Sequence, residues 1–242
     1  VRIIALTGSN GKTTTRAMTA AILDRKGSTL ATQGNLNNEI GLPLTLLQLT
    51  DAHTLAVGEM GKNHPGEIDR LGQIASPEIG MIINVAPAHL EGLHSIEGVM
   101  HAKGELLRHI APAGRAILNA DDEYCRRLAE TCPVETLLFG FGPEAAIRAA
   151  DLDSGPRGWT FTLQMPSGEI PVKLQVPGKF MVANALAAAA AAYCCDVAPE
   201  DIKAGLESVA AVDGRMQLVP PPWGITLIND CYNANPASTA AA

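Results

Sequence analysis

The sequence predicts an α/β fold: a mostly parallel sheet of the phosphate-loop type, with helices on both faces and an antiparallel hairpin as an extension. Three observations predict it. Up to Asn119, short apolar runs alternate with amphipathic stretches of helical period, as in a parallel sheet covered on both sides. The first apolar run, residues 1–6, breaks directly into a glycine turn and then a helix. Over residues 159–176 the period changes to two, on either side of a turn.

Taken in order, the strand at residues 1–6 feeds Thr7-Gly8-Ser9-Asn10-Gly11-Lys12-Thr13-Thr14. A strand, turn and helix in this order aim backbone N–H groups and the positive end of the helix dipole at one point. Gly8 and Gly11 let the backbone approach an anion, Lys12 adds a mobile positive charge, and Thr13 offers a hydroxyl to Mg²⁺. The spacing is G-x-x-G-K-T, and it describes a nucleotide triphosphate site. The helix then runs over residues 13–26, with Ala17, Met18, Ala21 and Ile22 on one face and Gly27 ending it. A strand at residues 28–32 leads to the asparagine-rich Gly34-Asn35-Leu36-Asn37-Asn38.

A short apolar helix at residues 43–49 precedes strands at 54–58 and 79–85. A helix over residues 96–110 leads to a strand at 115–119. The hairpin pairs 159–165 with 170–176 around Pro166-Ser167-Gly168-Glu169. The alanine-rich helix from Ala183 to about Tyr193 must pack closely on a neighbour, and a helix at 199–209 has an acidic first turn. Val212-Asp213-Gly214-Arg215 is expected to be a hinge, followed by a strand at 225–229 that ends at Asp230. The expected domains are residues 1–212 and 213–242.

Composition excludes several classes. Hydrophobic residues make up 47% of the 242 and charged ones 18%, as in a compact α/β protein. The net charge of −7, without any basic stripe, argues against nucleic acid as a partner. The longest apolar stretch, residues 185–195, is too short to span a bilayer, so no membrane insertion is expected. Five cysteines without a C-x-x-C pair suit structural thiols in a reduced, cytoplasmic compartment. The sequence starts with Val1 already in a strand and stops in an alanine run, which is expected of part of a longer protein.

Ligands of open α/β sheets lie beyond the carboxyl ends of the strands. Glu59 and His89 lie there together with the glycine turn, and Glu59 is a candidate Mg²⁺ ligand. His89-Leu90-Glu91-Gly92-Leu93-His94 is not H-E-x-x-H, which excludes a zinc protease. Asn35, Asn37 and Asn38 suit an uncharged sugar-peptide substrate, and an asparagine-rich turn reads the same.

The glycine turn, Glu59-Met60-Gly61, His89-Leu90-Glu91-Gly92, Ala102-Lys103-Gly104-Glu105 and Asn184-Ala185-Leu186-Ala187-Ala188 together resemble the Mur ligases. These are ATP-dependent amide-forming enzymes of peptidoglycan precursor synthesis. Gly34-Asn35-Leu36-Asn37-Asn38-Glu39-Ile40-Gly41, Asn63-His64-Pro65-Gly66-Glu67 and Asp230-Cys231-Tyr232-Asn233-Ala234-Asn235-Pro236 are similar to one branch of that family. That branch adds D-alanyl-D-alanine to UDP-N-acetylmuramoyl-tripeptide (UDP-MurNAc-tripeptide). The blocks run through the whole chain in the family's order.

The resemblance implies a central ATP-binding domain and the start of a second, Rossmann-like domain, without the family's N-terminal UDP-sugar domain. It implies that Gly8, Ser9, Asn10, Gly11, Lys12, Thr13 and Thr14 hold the ATP phosphates. Thr13 and Glu59 would hold Mg²⁺, and His89 would serve a second Mg²⁺. Lys103 matches a lysine that related enzymes carbamylate, giving an anion that approaches the metal. Asn184 would lie on the adenine side, Arg215 near the γ-phosphate, and Asp230 at the ribose hydroxyls, with Tyr232 and Asn233 toward the substrate. One departure is Phe180-Met181, where the family has His-Asn. The implied reaction activates a carboxylate as an acyl phosphate, which the amine of D-alanyl-D-alanine attacks in a monomeric enzyme acting on small molecules. The alternatives are a ligase like folylpolyglutamate synthase, against which the asparagine block and the Tyr232 string argue, and a nucleotide-binding fragment without turnover.

Overall fold

The computed structural model describes residues 1–87, 90–155, 158–219, 225 and 227–241. The first half alternates strands and helices: β1 (Arg2–Thr7), α1 (Lys12–Leu23), β2 (Thr29–Ala31), α2 (Gly41–Leu46), β3 (Leu55–Glu59), α3 (Glu67–Ala75) and β4 (Ile79–Ile82). Then come α4 (Leu90–Leu93), α5 (Ile96–Gly104), a 3-10 turn (Glu105–His109), β5 (Arg115–Asn119), α6 (Glu123–Glu130) and β6 (Glu135–Gly140). The antiparallel part is β7 (Ile147–Gly155), β8 (Gly158–Met165) and β9 (Gly168–Leu174). It is followed by α7 (Lys179–Cys194), α8 (Pro199–Ser208), β10 (Gln217–Val219), β11 (Leu227–Asn229) and α9 (Pro236–Ala241).

One sheet carries nine strands in the order β2-β3-β1-β4-β5-β6-β7-β8-β9. Pairing is parallel from β2 through β7. It is antiparallel from β7 to β9. Alternation along β1 shows why a continuous apolar run was needed. Ile4 and Leu6 join the core made with α1, α7 and α8, whereas Ala5 joins the core with α2 and α3 on the other face. On the first face, Ala187 to Ala192 in α7 have no exposed surface, and α1 lies directly against this helix. Among the described residues, no helix is long and apolar enough to cross a membrane.

The expected hairpin is present and is part of a longer ladder, because β7 pairs with β8 across a bulge between Ala150 and Asp153. The helix expected over 96–110 is α-helical only to Gly104 and tightens into the 3-10 turn. The strand expected at 79–85 leaves the ladder after Ile82. Of the strand expected at 225–229, Leu227–Asn229 pairs antiparallel with β10 in a separate two-stranded sheet, and Leu227 and Ile228 are exposed.

Candidate phosphate-binding site

The connection from β1 leads toward one edge of the sheet, and those from β3 and β4 lead toward the other. The direction reverses at β1, and a crevice therefore opens beyond its carboxyl end. Residues 8–11 fill the mouth of that crevice, and their backbone is held from several sides. Ser9 Oγ donates to the Ala86 carbonyl at 2.8 Å and accepts from the Ala86 N–H at 2.9 Å. Asn84 grips Asn10 reciprocally: its Oδ1 accepts the Asn10 N–H at 2.9 Å and its Nδ2 donates to the Asn10 carbonyl at 3.0 Å.

Gly11 has a φ of 82°, and a Cβ there would lie 2.3 Å from Asn184 Oδ1. Left-handed backbone and close approach therefore each require glycine. Gly11 caps α1 without a side-chain hydrogen bond. The N–H groups of the first helical turn lack intrahelical acceptors and are available to an anion.

Lys12 opens α1, and its Nζ donates to the Gly8 carbonyl at 2.9 Å. Burial pushes its pKa down from the ordinary lysine value, against the pull of Glu59 and with the help of Arg215. Glu59, the last residue of β3, is 2% exposed. Its Oε1 accepts from Asn37 Nδ2 at 2.8 Å, and its Oε2 faces Arg16 Nε at 3.8 Å. Among the described residues, Oε2 has no hydrogen-bond partner. A buried carboxylate oxygen without a donor is costly to desolvate, and a bound cation offsets that cost. Mg²⁺ takes one or two carboxylates and fills its remaining positions with water and phosphate oxygens, so Glu59 and the Thr13 hydroxyl fit it.

Lys103, at the end of α5, is buried. Burial pushes its pKa well below the ordinary value, and the charges of Lys12 and Lys62 push in the same direction. A cavity of about 750 Å³ lies over the phosphate loop. Ser9 to Thr13 form one wall, Asn35, Asn37 and Asn38 another, and Arg215, Tyr232 and Asn233 close it from the C-terminal side.

Residues 6–192 match the family model described as the Mur ligase middle domain. The chain belongs to the Mur ligase family. It is 43% identical over 244 residues to the UDP-N-acetylmuramoyl-tripeptide–D-alanyl-D-alanine ligase of Escherichia coli K12, covering 100% of this chain and 54% of that protein. The crystal structure of MurF from Acinetobacter baumannii superposes with a TM-score of 0.95 at 39% identity, over 99% of this chain and 52% of the other. MurF ligase from Thermotoga maritima, in complex with ADP, gives a TM-score of 0.90 at 28% identity, over 99% of this chain and 55% of the other. The chain thus spans about half the length of the relatives it matches.

The residues expected from the Mur ligase resemblance divide into three groups. Ser9, Asn10, Gly11, Lys12, Thr13, Asn35, Asn37, Asn38, Glu59, Arg215, Tyr232 and Asn233 line the one cavity. Gly8, Thr14, Lys103, Asn184 and Asp230 are not among its lining residues. Thr14 is buried. Asn184, expected at the adenine, is buried beneath Gly11, with its Nδ2 toward Met181 Sδ at 3.8 Å. Asp230 Oδ1 accepts the Met216 N–H at 3.1 Å. His89 lies outside the described residues.

The asparagine loop shows the turn contacts that one of its two readings expects. Asn38 Oδ1 accepts the N–H groups of Ile40 and Gly41 as a turn residue does, and Asn37 holds Glu59. Arg215 stacks over the Tyr232 ring, 4.4 Å from its centroid. Three groups escaped the sequence reading: Asn84, Lys62 and Asn235. Asn235 Nδ2 donates to Asn10 Oδ1 at 2.6 Å and ties the C-terminal segment to the phosphate loop. Asn84 stands just beyond a strand's carboxyl end, a position that sequence does signal.

Proposed function

We propose that the chain is the ATP-binding part of a ligase that joins D-alanyl-D-alanine to UDP-MurNAc-tripeptide. The observation that carries this reading is the meeting, at one cavity, of a helix N-terminus without a side-chain cap, Lys12 and a Glu59 oxygen that has no hydrogen-bond donor among the described residues, in a chain 43% identical to such a ligase. Residues 1–212 correspond to a central ATP-binding domain. Residues 213–242 correspond to a hinge and the start of a second domain, a division supported by the separate β10–β11 sheet. Five free cysteines suit a cytoplasmic reaction.

The chemistry follows from the residues. The backbone N–H groups at the start of α1 and the Lys12 ammonium hold a triphosphate tail and neutralise charge at its β/γ bridge. Glu59 and Thr13 would hold Mg²⁺, which when bound supplies further charge neutralisation. The donor carboxylate takes the γ-phosphoryl group, the amine of D-alanyl-D-alanine attacks the acyl carbon, and phosphate leaves. The protein's part is positioning and electrostatics, and no side-chain nucleophile is required. Burial pushes the Lys103 pKa down, which favours the free amine that carbamylation needs.

The test is coupled phosphate release by the full-length protein with ATP, UDP-MurNAc-tripeptide and D-alanyl-D-alanine, alongside Lys12→Ala. The expected result is turnover that depends on both substrates and is abolished in the variant. Unchanged turnover in Lys12→Ala would refute the site. Glutamate-dependent ADP release on folate would overturn the substrate assignment.

A further inference from the structure

Lys62 lies in the loop after β3 and lines the same cavity as the phosphate loop. The residue is 7% exposed, yet its Nζ has no hydrogen-bond partner among the described residues. The two carboxylates that act on its charge are both engaged by backbone. Glu67 Oε2 accepts the Asn63 N–H at 2.6 Å. Glu105 accepts the N–H groups of Gly66 and Asp69 at 2.9 and 3.0 Å. Lys12 acts on Lys62 as a like charge, and both act on Lys103.

Burial pushes the Lys62 pKa down to about 8, with Glu105 and Glu67 opposing and Lys12 assisting. At neutral pH the group is therefore a cation. An ammonium withdrawn from water without a partner destabilises the unliganded chain, and an anion entering the cavity reverses that effect. Among the described residues Glu59 pairs with Arg16, at 3.8 Å, and not with Lys62.

A triphosphate tail is already served by the α1 N–H groups and Lys12. We infer that Lys62 binds the acid substrate: its Nζ holds the reacting carboxylate, and the phosphoryl oxygens that group acquires, against the phosphate loop. This rests on the ligase reading above and names the residue that orients the acid at that same site. A nucleotide's terminal phosphate offers the same oxyanion chemistry, and the experiment separates the two sources.

In the full-length protein, Lys62→Met and Lys62→Arg are compared with the parent for kcat, KM of each substrate, MgADP affinity and thermal midpoint. Lys62→Met is expected to lower kcat/KM for UDP-MurNAc-tripeptide about 10- to 100-fold, as for the loss of one charge-assisted hydrogen bond. MgADP affinity and the KM of ATP stay within about twofold, the thermal midpoint does not fall, and Lys62→Arg recovers part of the loss. A kcat/KM within twofold of the parent overturns the inference. A loss falling equally on nucleotide affinity overturns it in favour of the nucleotide phosphate, and a lowered midpoint without rescue by arginine overturns it in favour of a structural role. If Lys12→Ala is inactive while Lys62→Met is unaffected, only Lys62 is misassigned; if Lys12→Ala is fully active, the ligase site itself fails.

Discussion

Replacing Gly11 by alanine probes the phosphate loop through two separable costs. An L-residue held in the left-handed region at φ 82° costs roughly 1–2 kcal/mol. The added methyl would sit 2.3 Å from Asn184 Oδ1, 3.1 Å from its Cγ and 3.2 Å from its Nδ2. Asn184 is 4% exposed on α7 and packs beside Met181 and the fully buried Ala185, so the amide has little room to withdraw, and overpacking adds about 1–3 kcal/mol. Together the substitution should destabilise the chain by about 2–5 kcal/mol, a large share of the roughly 5–15 kcal/mol typical of folded proteins. Urea denaturation reads the stability, and calorimetry with MgADP reads the site, where affinity should fall more than about tenfold as the loop N–H groups shift. In an Asn184→Ala background, the same substitution should recover the overpacking share but not the backbone share. A Gly11→Ala chain with the parental midpoint and MgADP affinity would refute this reasoning, and an undiminished cost in the Asn184→Ala background would remove its steric half.

Two further outcomes follow from the buried Lys103. Lys103→Ala in the full-length protein should lose ligation that short carboxylic acids partly restore, because they replace the anion a carbamylated lysine provides; a fully active variant would dispose of the carbamate. Lys103 also makes stability depend on pH. Its folded pKa lies well below the lysine value of 10.5, so between those two values the unfolded chain binds more protons and stability rises with pH. In bicarbonate-free buffer, Lys103→Met should flatten that rise and increase the denaturation midpoint at neutral pH. A slope identical to the parent's would show that burial does not lower this amine's pKa.

Much of the fold was written locally. The phosphate loop, the strands β1, β3, β4 and β5, the β8–β9 hairpin and the alanine helix all follow from patterns within ten or twenty residues. The strand β7 did not, because it carries Arg148, Asp151 and Asp153 and is broken by a bulge, so its alternation is lost beyond Ala149. Nor did α3 stand out, although Ile68, Leu71, Gly72 and Ala75 lie buried at helical spacing. Site residues on the glycine turn were legible because backbone geometry dictates their types. Lys62 was not, because a lysine's burial, and its lack of partners among the described residues, arise only from tertiary packing. Asn184 was expected at the adenine only from the family resemblance, and its position beneath Gly11 depends on how α7 lies across the sheet.

The run of fully buried alanines in α7 bears on more than close packing. A methyl group has no rotamers to lose on folding and none to change afterwards. The alanine run of the helix whose Asn184 lies beneath Gly11 therefore cannot rearrange side chain by side chain when a ligand arrives. It can respond only by moving the whole helix, which its tight neighbours resist. Stiffness at the anchoring end of the crevice thus comes without a penalty in side-chain entropy, and adaptation is left to the longer residues on the facing walls.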